Sequence, residues 1–538
     1  MANSAPTRRD LLKLAGMIGG TAMAYRSMSA LAAPPDPAAS GLRPGMLAGA
    51  GARGEILVLG AGIAGLVAAT ELRGAGYDVK VLEYDRRPGG RSWTIRGGDV
   101  IDELGGARQV CRFDEGLYFN PGPMRIPYDH SLFLQYCSIN DVALESFAQG
   151  NGAAYFHSTT AFGGKPQRAR EIQADFEGAV AELLAKSADA GALDETVGKE
   201  DLEILRDALR DWGALDKNHR YAVGAASTGR RGAPFGPPGG GLTAPFGQSQ
   251  PVALHDILTA GFWQNLATQH SADWAPTMFQ PVGGVDRLVR ALADKLGPAI
   301  QYGAKVTDIE QKDGRVTVRY ADLAAGGAMR TATADWCVCA IPASILGQLR
   351  VQVGNAMKAA IDSVWYASSV KVGLQFKRRF WEQDERIYGG MTFTDQSINQ
   401  IVYPSSGFGS RGKGVLTGAF VAGLGGFQPG ASYAMTAQPP EERIRWALRE
   451  GARIHPQYAT EFDNGVSVAW HRNPGSLGCF AAWHGDDDRA KYEALCAIDG
   501  RIILAGEHCS YLSGWQEGAI ASALDAVGRL NKRIHTPA

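Results

Sequence analysis

Apolar and polar positions change rhythm several times along this chain, and the first clear change comes at Glu55. The run "EILVLG" (55–60) is short and unbroken, the pattern of a strand in the middle of a parallel sheet. Residues 64–76, "AGLVAATELRGAG", then take helical spacing and end in glycine, and "DVKVLEYD" (78–85) reads as a second strand. A strand, glycine turn, helix, strand unit thus follows an Ala/Gly/Pro-rich stretch, 34–53, that reads as a linker. Helical periodicity with charge on one side fills 168–215 and predicts an added helical layer. Residues 226–251 are rich in Gly and Pro without periodicity, a long loop either lying over a site or mobile. Another glycine turn and helix (280–297) precedes alternating strands and the apolar "WCVCAIP"; 351–480 mixes strands with aromatic-rich turns. The buried strand "RIILAGEH" (501–508) and the helical "GAIASALDAVGRLNKRI" close the chain. Strands of one sheet at the start, middle and end imply a discontinuous domain interleaved with a second.

Length and charge narrow the partners. At 538 residues the chain is too long for one core, and 45% hydrophobic content supports two or more domains. A net charge of -1, from 54 basic and 55 acidic residues, offers no field to gather nucleic acid or anionic lipid, so small, weakly charged partners are expected. Seven cysteines lack zinc-ligand spacing, and Cys337 and Cys339 are too close along one strand to pair comfortably; most read as buried thiols, with a disulfide elsewhere left open. The N-terminal "TRRDLLKLAG", with Arg8 and Arg9 adjacent, a moderately apolar run to Ala24 and a small-residue site at Ala30–Ala32, resembles a twin-arginine export signal over 1–33. A membrane anchor or a basic tail competes, but the run is shorter and less apolar than the roughly 20 residues a spanning helix needs. Export machinery is then a partner, and the location is periplasmic or secreted.

Chemistry enters with "GAGIAG". Gly60, Ala61, Gly62, Ile63, Ala64 and Gly65 occupy the turn between strand and helix, where glycines allow a tight turn, a close pyrophosphate and close helix packing. Glu83, followed by Tyr84, ends the second strand, where its carboxylate can accept bonds from a ribose. "RPGGRSW" adds Gly89, Gly90 and Arg91, and "LAGEHCS" adds Gly506 and Glu507. At this point the chain resembles the flavin-containing amine oxidase superfamily, over about 55–530. Through "GPMRIP", "SVKVGLQFKRRFWEQD", "QIVYP" and "SGWQEGA" it is similar to the L-amino acid oxidases.

The resemblance implies FAD, with Arg91 near the pyrophosphate, Glu507 on the ribityl chain, and Gly122, Pro123, Met124, Arg125, Val306, Trp515, Gln516 and Ala519 completing the cradle. It implies an α/β fold in which a Rossmann-like FAD-binding domain, built from 54–125, 276–346 and 486–538, interleaves with an α+β substrate-binding domain. That second domain comprises 126–275, which carries the helical insertion, and 347–485. For the substrate it implies a salt bridge from Arg125 and a bond from Tyr403 to a carboxylate, and a Gly514 carbonyl and a Trp515 wall around the amine. Lys371 is implied to hold a water against the flavin. A guanidinium fits a carboxylate with paired, charge-assisted donors, and fixing that group orients the Cα hydrogen.

Other readings stay open beside these. Alternation of Val370, Val372 and Leu374 also suits Lys371 as a charge on an edge strand. Trp470 is a second wall or a core residue, Arg108 a flavin contact or a rival for the carboxylate, and His130 and His471 are less specific. Phe262, Trp263 and Phe279 are candidates for the side-chain pocket. The implied activity is oxidation of L-amino acids by oxygen to 2-oxo acids, ammonia and hydrogen peroxide, in a chain expected to form a homo-oligomer, a dimer. Alternatives are an amine or polyamine oxidase, a dehydrogenase with another acceptor, a decarboxylating monooxygenase, or a flavin-fold partner-binding protein.

Overall fold

A computed structural model describes residues 41–51, 53–193, 197–232, 240–242, 247–269, 274–422, 430–483 and 488–536. The export-signal reading of 1–33 lies outside them. The run beginning at Glu55 forms the strand Glu55–Leu59 of a six-stranded sheet. Its order is Ile300–Gln301, Asp78–Leu82, Glu55–Leu59, Trp336–Cys339, Ile502–Leu504, Ile498–Asp499. Strand alternation divides the apolar run between two layers. Ile56 and Val58 face the helices Ile63–Ala75 and Gln516–His535, against Leu66, Val67, Leu524 and Val527. Leu57 and Leu59 face the other way, toward Met357, Ile361 and Leu495 and the antiparallel strands carrying Ile309 and Val318. Strands far apart in sequence thus make one sheet, the expected discontinuous α/β domain.

The second sheet has seven strands, in the order Phe462–Ala469, Ser369–Phe376, Gly414–Ala422, Gln400–Val402, Met391–Thr394, Tyr155–His157, Gln167–Arg168. Ser369–Phe376 is buried along its whole length and pairs antiparallel on both sides, so Lys371 sits on an inner strand and the edge-strand reading does not hold. Helices Ala169–Asp189 and Lys199–Trp212 supply the expected helical layer.

Two segments depart from expectation. The stretch read as a linker docks from residue 42 onward, with Leu47 buried against the first helix layer and the Gly45 N–H donating to Glu71 at 2.8 Å. The Gly/Pro-rich stretch begins as a helix, Ala225–Arg231, because Arg231 reaches a buried ion pair with Asp175 and bonds the Ser249 hydroxyl at 3.1 Å. That tertiary anchor outweighs the local composition; residues 233–239 and 243–246 lie outside the described residues. All seven cysteines are free thiols, so the open disulfide is not formed.

Candidate active site

A cavity of about 1060 Å³ lies between the two sheets, lined by residues of both. On the parallel-sheet side its wall is the glycine turn. A Cβ at Gly65 would stand 1.9 Å from the Gly60 carbonyl oxygen, so the helix can pack this close to the turn only at glycine. Gly60, Gly62, Ile63 and Ala64 line the cavity, whereas Gly65 and Ala61 do not. This corrects the expectation of direct cofactor contact at those two. Gly65 is the packing point behind the turn, and the wholly buried Ala61 gives its N–H to the Glu83 carboxylate. The Glu83 carboxyl takes a second N–H from Asp85 at 2.7 Å, yet burial pushes it up to about 7. The helix Ile63–Ala75 starts with no side-chain cap and no acidic residue in its first turn, which leaves its N-terminus for an anion.

The two ends of the chain meet around Arg91 and Glu507. Arg91 Nη1 donates to Glu507 Oε1 at 2.7 Å and to the Cys479 carbonyl at 2.9 Å, and Glu507 also accepts the Ala481 and Gly514 N–H groups at 3.1 Å. Gly90, Tyr84, Val306, Gly506, Gln516 and Ala519 join the same wall. Among the described residues buried Gln516 Oε1 has no hydrogen-bond partner, and Gln516 Nε2 donates to the Ser92 hydroxyl at 2.9 Å. An acidic ribose position, an uncapped helix start and glycine-lined walls fit a dinucleotide such as FAD.

Opposite this wall, "FNPGPMRIP" (119–127) is pinned on both sides of Arg125. The Trp470 indole N–H donates to the Pro121 carbonyl at 2.8 Å, Lys371 Nζ to the Gly122 carbonyl at 2.7 Å, and Ile126 pairs with Phe279 in a short ladder. Any Cβ at Gly122 would lie 2.1 Å from the Arg91 carbonyl oxygen, so the loop abuts the cofactor-side turn directly. Arg125 is 8% exposed; among the described residues its Nε and Nη1 have no hydrogen-bond partner and no carboxylate pairs with it. Its guanidinium lies 4.0 Å from the Trp274 ring centre and 5.8 Å from that of Trp515. Burial lowers its pKa to about 9.

Lys371 has its Nζ 4.3 Å from the Phe420 ring centre, and burial, reinforced by the Arg125 charge, lowers its pKa to about 7. At neutral pH this amine can hold or release a proton at Nζ. Lys371, Arg125, Gly122, Pro123, Met124, Gly514 and Trp515 all line the one cavity. Trp470 is fully buried and also contributes to the cavity lining. His130 stands edge-on to Trp515 at 4.9 Å, and His471 turns to the Thr436 hydroxyl at 2.8 Å.

Several expected positions fall elsewhere. Tyr403 does not line the cavity: it is wholly buried, with its hydroxyl bonded to Thr392 Oγ1 at 2.7 Å and His455 Nε2 at 2.6 Å. The strand Gln400–Val402 turns Gln400 toward the cavity, and Tyr403 comes just after the strand ends, on the far side. Arg108 is exposed at the cavity's outer rim and held by Asp102 at 2.6 and 2.9 Å, which removes it as a carboxylate anchor. Phe262 stacks on Phe156 at 4.7 Å, Trp263 is exposed and Phe279 packs in the helical-side core; none lines the cavity. The lining on this side is instead Trp274, Phe393, Phe420, Gln149, Asn265 and Gln400. Strand pairing sets Lys371 beside Phe420 and Gln400 beside Phe393, contacts between distant segments that no local pattern reveals.

Comparison with known proteins agrees with this geometry. The chain is 29% identical to a flavin-dependent L-tryptophan oxidase of Lentzea aerocolonigenes, over 88% of this chain and 97% of that one. It is 27% identical to an L-amino-acid oxidase of Siganus canaliculatus, over 89% and 85%. The solved cyclohexylamine oxidase of Brevibacterium oxydans superposes with a TM-score of 0.58 at 16% identity, covering 90% of this chain and all of that one, a likeness of fold. A model of the flavin containing amine oxidoreductases matches residues 63–531. With the glycine turn, Glu83 and the Arg91–Glu507 pair facing a cavity that holds Lys371 and Arg125, this chain belongs to the flavin-containing amine oxidoreductases and is an FAD-dependent enzyme.

Proposed function

We propose that the protein oxidises L-amino acids to 2-oxo acids, ammonia and hydrogen peroxide. The observation that carries this reading is Arg125: a guanidinium in the cavity, buried and without a carboxylate partner among the described residues. A buried cation is costly until an anion answers it, and a substrate carboxylate supplies both the charge and two acceptor oxygens. Trp274 and Trp515, which flank the guanidinium, exclude water and hold its plane fixed, so the carboxylate is captured in one orientation. The amine then lies toward Trp515 and the Gly514 backbone. Lys371, poised near neutrality, takes or returns a proton at Nζ while hydrogen-bonded to the Gly122 carbonyl. Bound FAD supplies the two-electron oxidation and passes the electrons to oxygen. The imino acid released is hydrolysed by water to the 2-oxo acid and ammonia.

The relatives named as L-amino-acid and L-tryptophan oxidases support the carboxylate-bearing substrate class. Arg8 and Arg9, with the apolar run behind them, support export by the twin-arginine route; Arg8→Lys with Arg9→Lys is expected to retain the precursor in the cytoplasm by cell fractionation. The activity is tested by a peroxide assay over the twenty L-amino acids, their D-isomers and simple amines. Peroxide from amines or D-isomers alone sinks the proposal.

A further inference from the structure

The cavity lining around Arg125 has a chemistry that the oxidase reading does not use. Phe393, Phe420, Trp274, Met124 and Met391 make an apolar cluster into which two amide side chains are set. Gln149 is 8% exposed and reaches Met391 through Nε2, at 3.7 Å from the sulfur; Gln400 is 3% exposed and stands beside Phe393 across the strand pair. Both line the cavity, and the Oε1 of each is buried with no hydrogen-bond partner among the described residues. Two orphaned amide oxygens in an apolar surround are expensive, and a ligand that answers both recovers that cost.

We infer that the cavity takes an L-amino acid whose side chain ends in a primary amide, read by Gln149 and Gln400. This inference rests on the oxidase reading and specifies its substrate. A primary amide carries two N–H donors, one for each orphaned oxygen, and its own carbonyl answers the amide nitrogens if either glutamine is turned over. An indole offers a single donor. Cationic side chains do not fit, because the charged groups facing this part of the cavity are Arg125 and Lys371, and no carboxylate among the described residues stands beside Gln149 or Gln400. Purely apolar side chains would leave both oxygens desolvated and unanswered, and sites built to hydrogen-bond reject such analogues strongly.

The test compares isosteres on the FAD-loaded enzyme: L-asparagine against L-leucine, and L-glutamine against L-homoleucine, in which two methyl groups replace the amide oxygen and nitrogen. The better amide is expected to exceed its apolar partner in kcat/KM by about 100-fold or more. In Gln149→Leu and Gln400→Leu, each retaining the flavin absorbance of the parent, that ratio is expected to fall by about 10-fold or more. Oxidation of leucine or homoleucine as efficiently as of the amides overturns the side-chain assignment while leaving the oxidase reading in place. Oxidation of no L-amino acid overturns both. Should a variant fail to fold, the wild-type comparison decides alone.

Discussion

Replacing Arg125 by methionine should weaken catalysis and strengthen the fold at once, and that opposition separates a substrate anchor from a structural ion pair. Burial holds the guanidinium far below its ordinary range, at about 9, with no carboxylate among the described residues contributing. A displacement of that size corresponds to about 5 kcal/mol of cost for keeping the charge buried, of which the stacking on Trp274 and Trp515 returns about 1 to 2 kcal/mol each. Substituting methionine fills much of the same volume and removes the charge, so the protein without substrate should gain up to about 2 kcal/mol of stability. Substrate binding moves the other way, because losing one partner of a buried charge pair costs about 3 to 5 kcal/mol. The variant's kcat/KM for its best amino acid should then fall by about 10² to 10³-fold or more, chiefly through KM. Urea melts of the flavin-loaded protein read the first number and steady-state peroxide kinetics the second. A variant that is less stable by several kcal/mol, with KM unchanged, would refute the reasoning, since that is how a fold-holding salt bridge behaves.

Three further outcomes follow from the same geometry. A buried ammonium at Lys371 would favour the negative charge of a reduced flavin and so assist its reaction with oxygen. Lys371→Met should slow reoxidation of the reduced enzyme by about 10²-fold in stopped flow and abolish a decline in that rate as pH rises through about 7, where the wild-type ammonium is lost; an unaltered pH profile would remove Lys371 from that step. Tyr403→Phe leaves Thr392 and His455 short of a partner and should cost about 1 to 3 kcal/mol in thermal or urea melts without raising KM, whereas a raised KM would return the tyrosine to the substrate. His508 is held neutral by burial, its pKa lowered to about 4, so between its ordinary 6.5 and about 4 the unfolded chain binds the extra proton and stability falls as pH falls. That slope amounts to about 3 kcal/mol over the interval, and His508→Phe should flatten it; acid melts of variant and parent that run parallel would contradict the assignment.

Much of the cofactor side was legible because its determinants are local. The strand, turn and helix around "GAGIAG" follow from one contiguous pattern, and Glu83 stands just past the next strand, Asp78–Leu82, which stops short of the 78–85 run that the pattern marks. Arg125 and Lys371 were legible only through resemblance, since proline framing and alternation say that a residue is held, not what it faces. Tyr403 failed for a geometrical reason: a strand of three residues fixes two inward positions, and the first residue past its end turns away. The aromatic-rich span around Phe262 failed because aromatic content does not specify a face. Gln149 and Gln400 carry no signal of their own; they become neighbours of the cavity through pairing between distant strands and a loop.

The Arg91–Glu507 contact joins residues 416 positions apart, and the sheet beneath it is completed by Ile502–Leu504. During synthesis, at about 5 to 20 residues per second, the glycine turn is made long before its counterpart exists. For about 20 to 80 s the growing chain presents half a nucleotide cradle, and tight capture of the flavin waits until the last strand and helix leave the ribosome. Loading is therefore a late event of biogenesis, and a chain truncated before residue 502 should emerge colourless however well its first domain segment has collapsed.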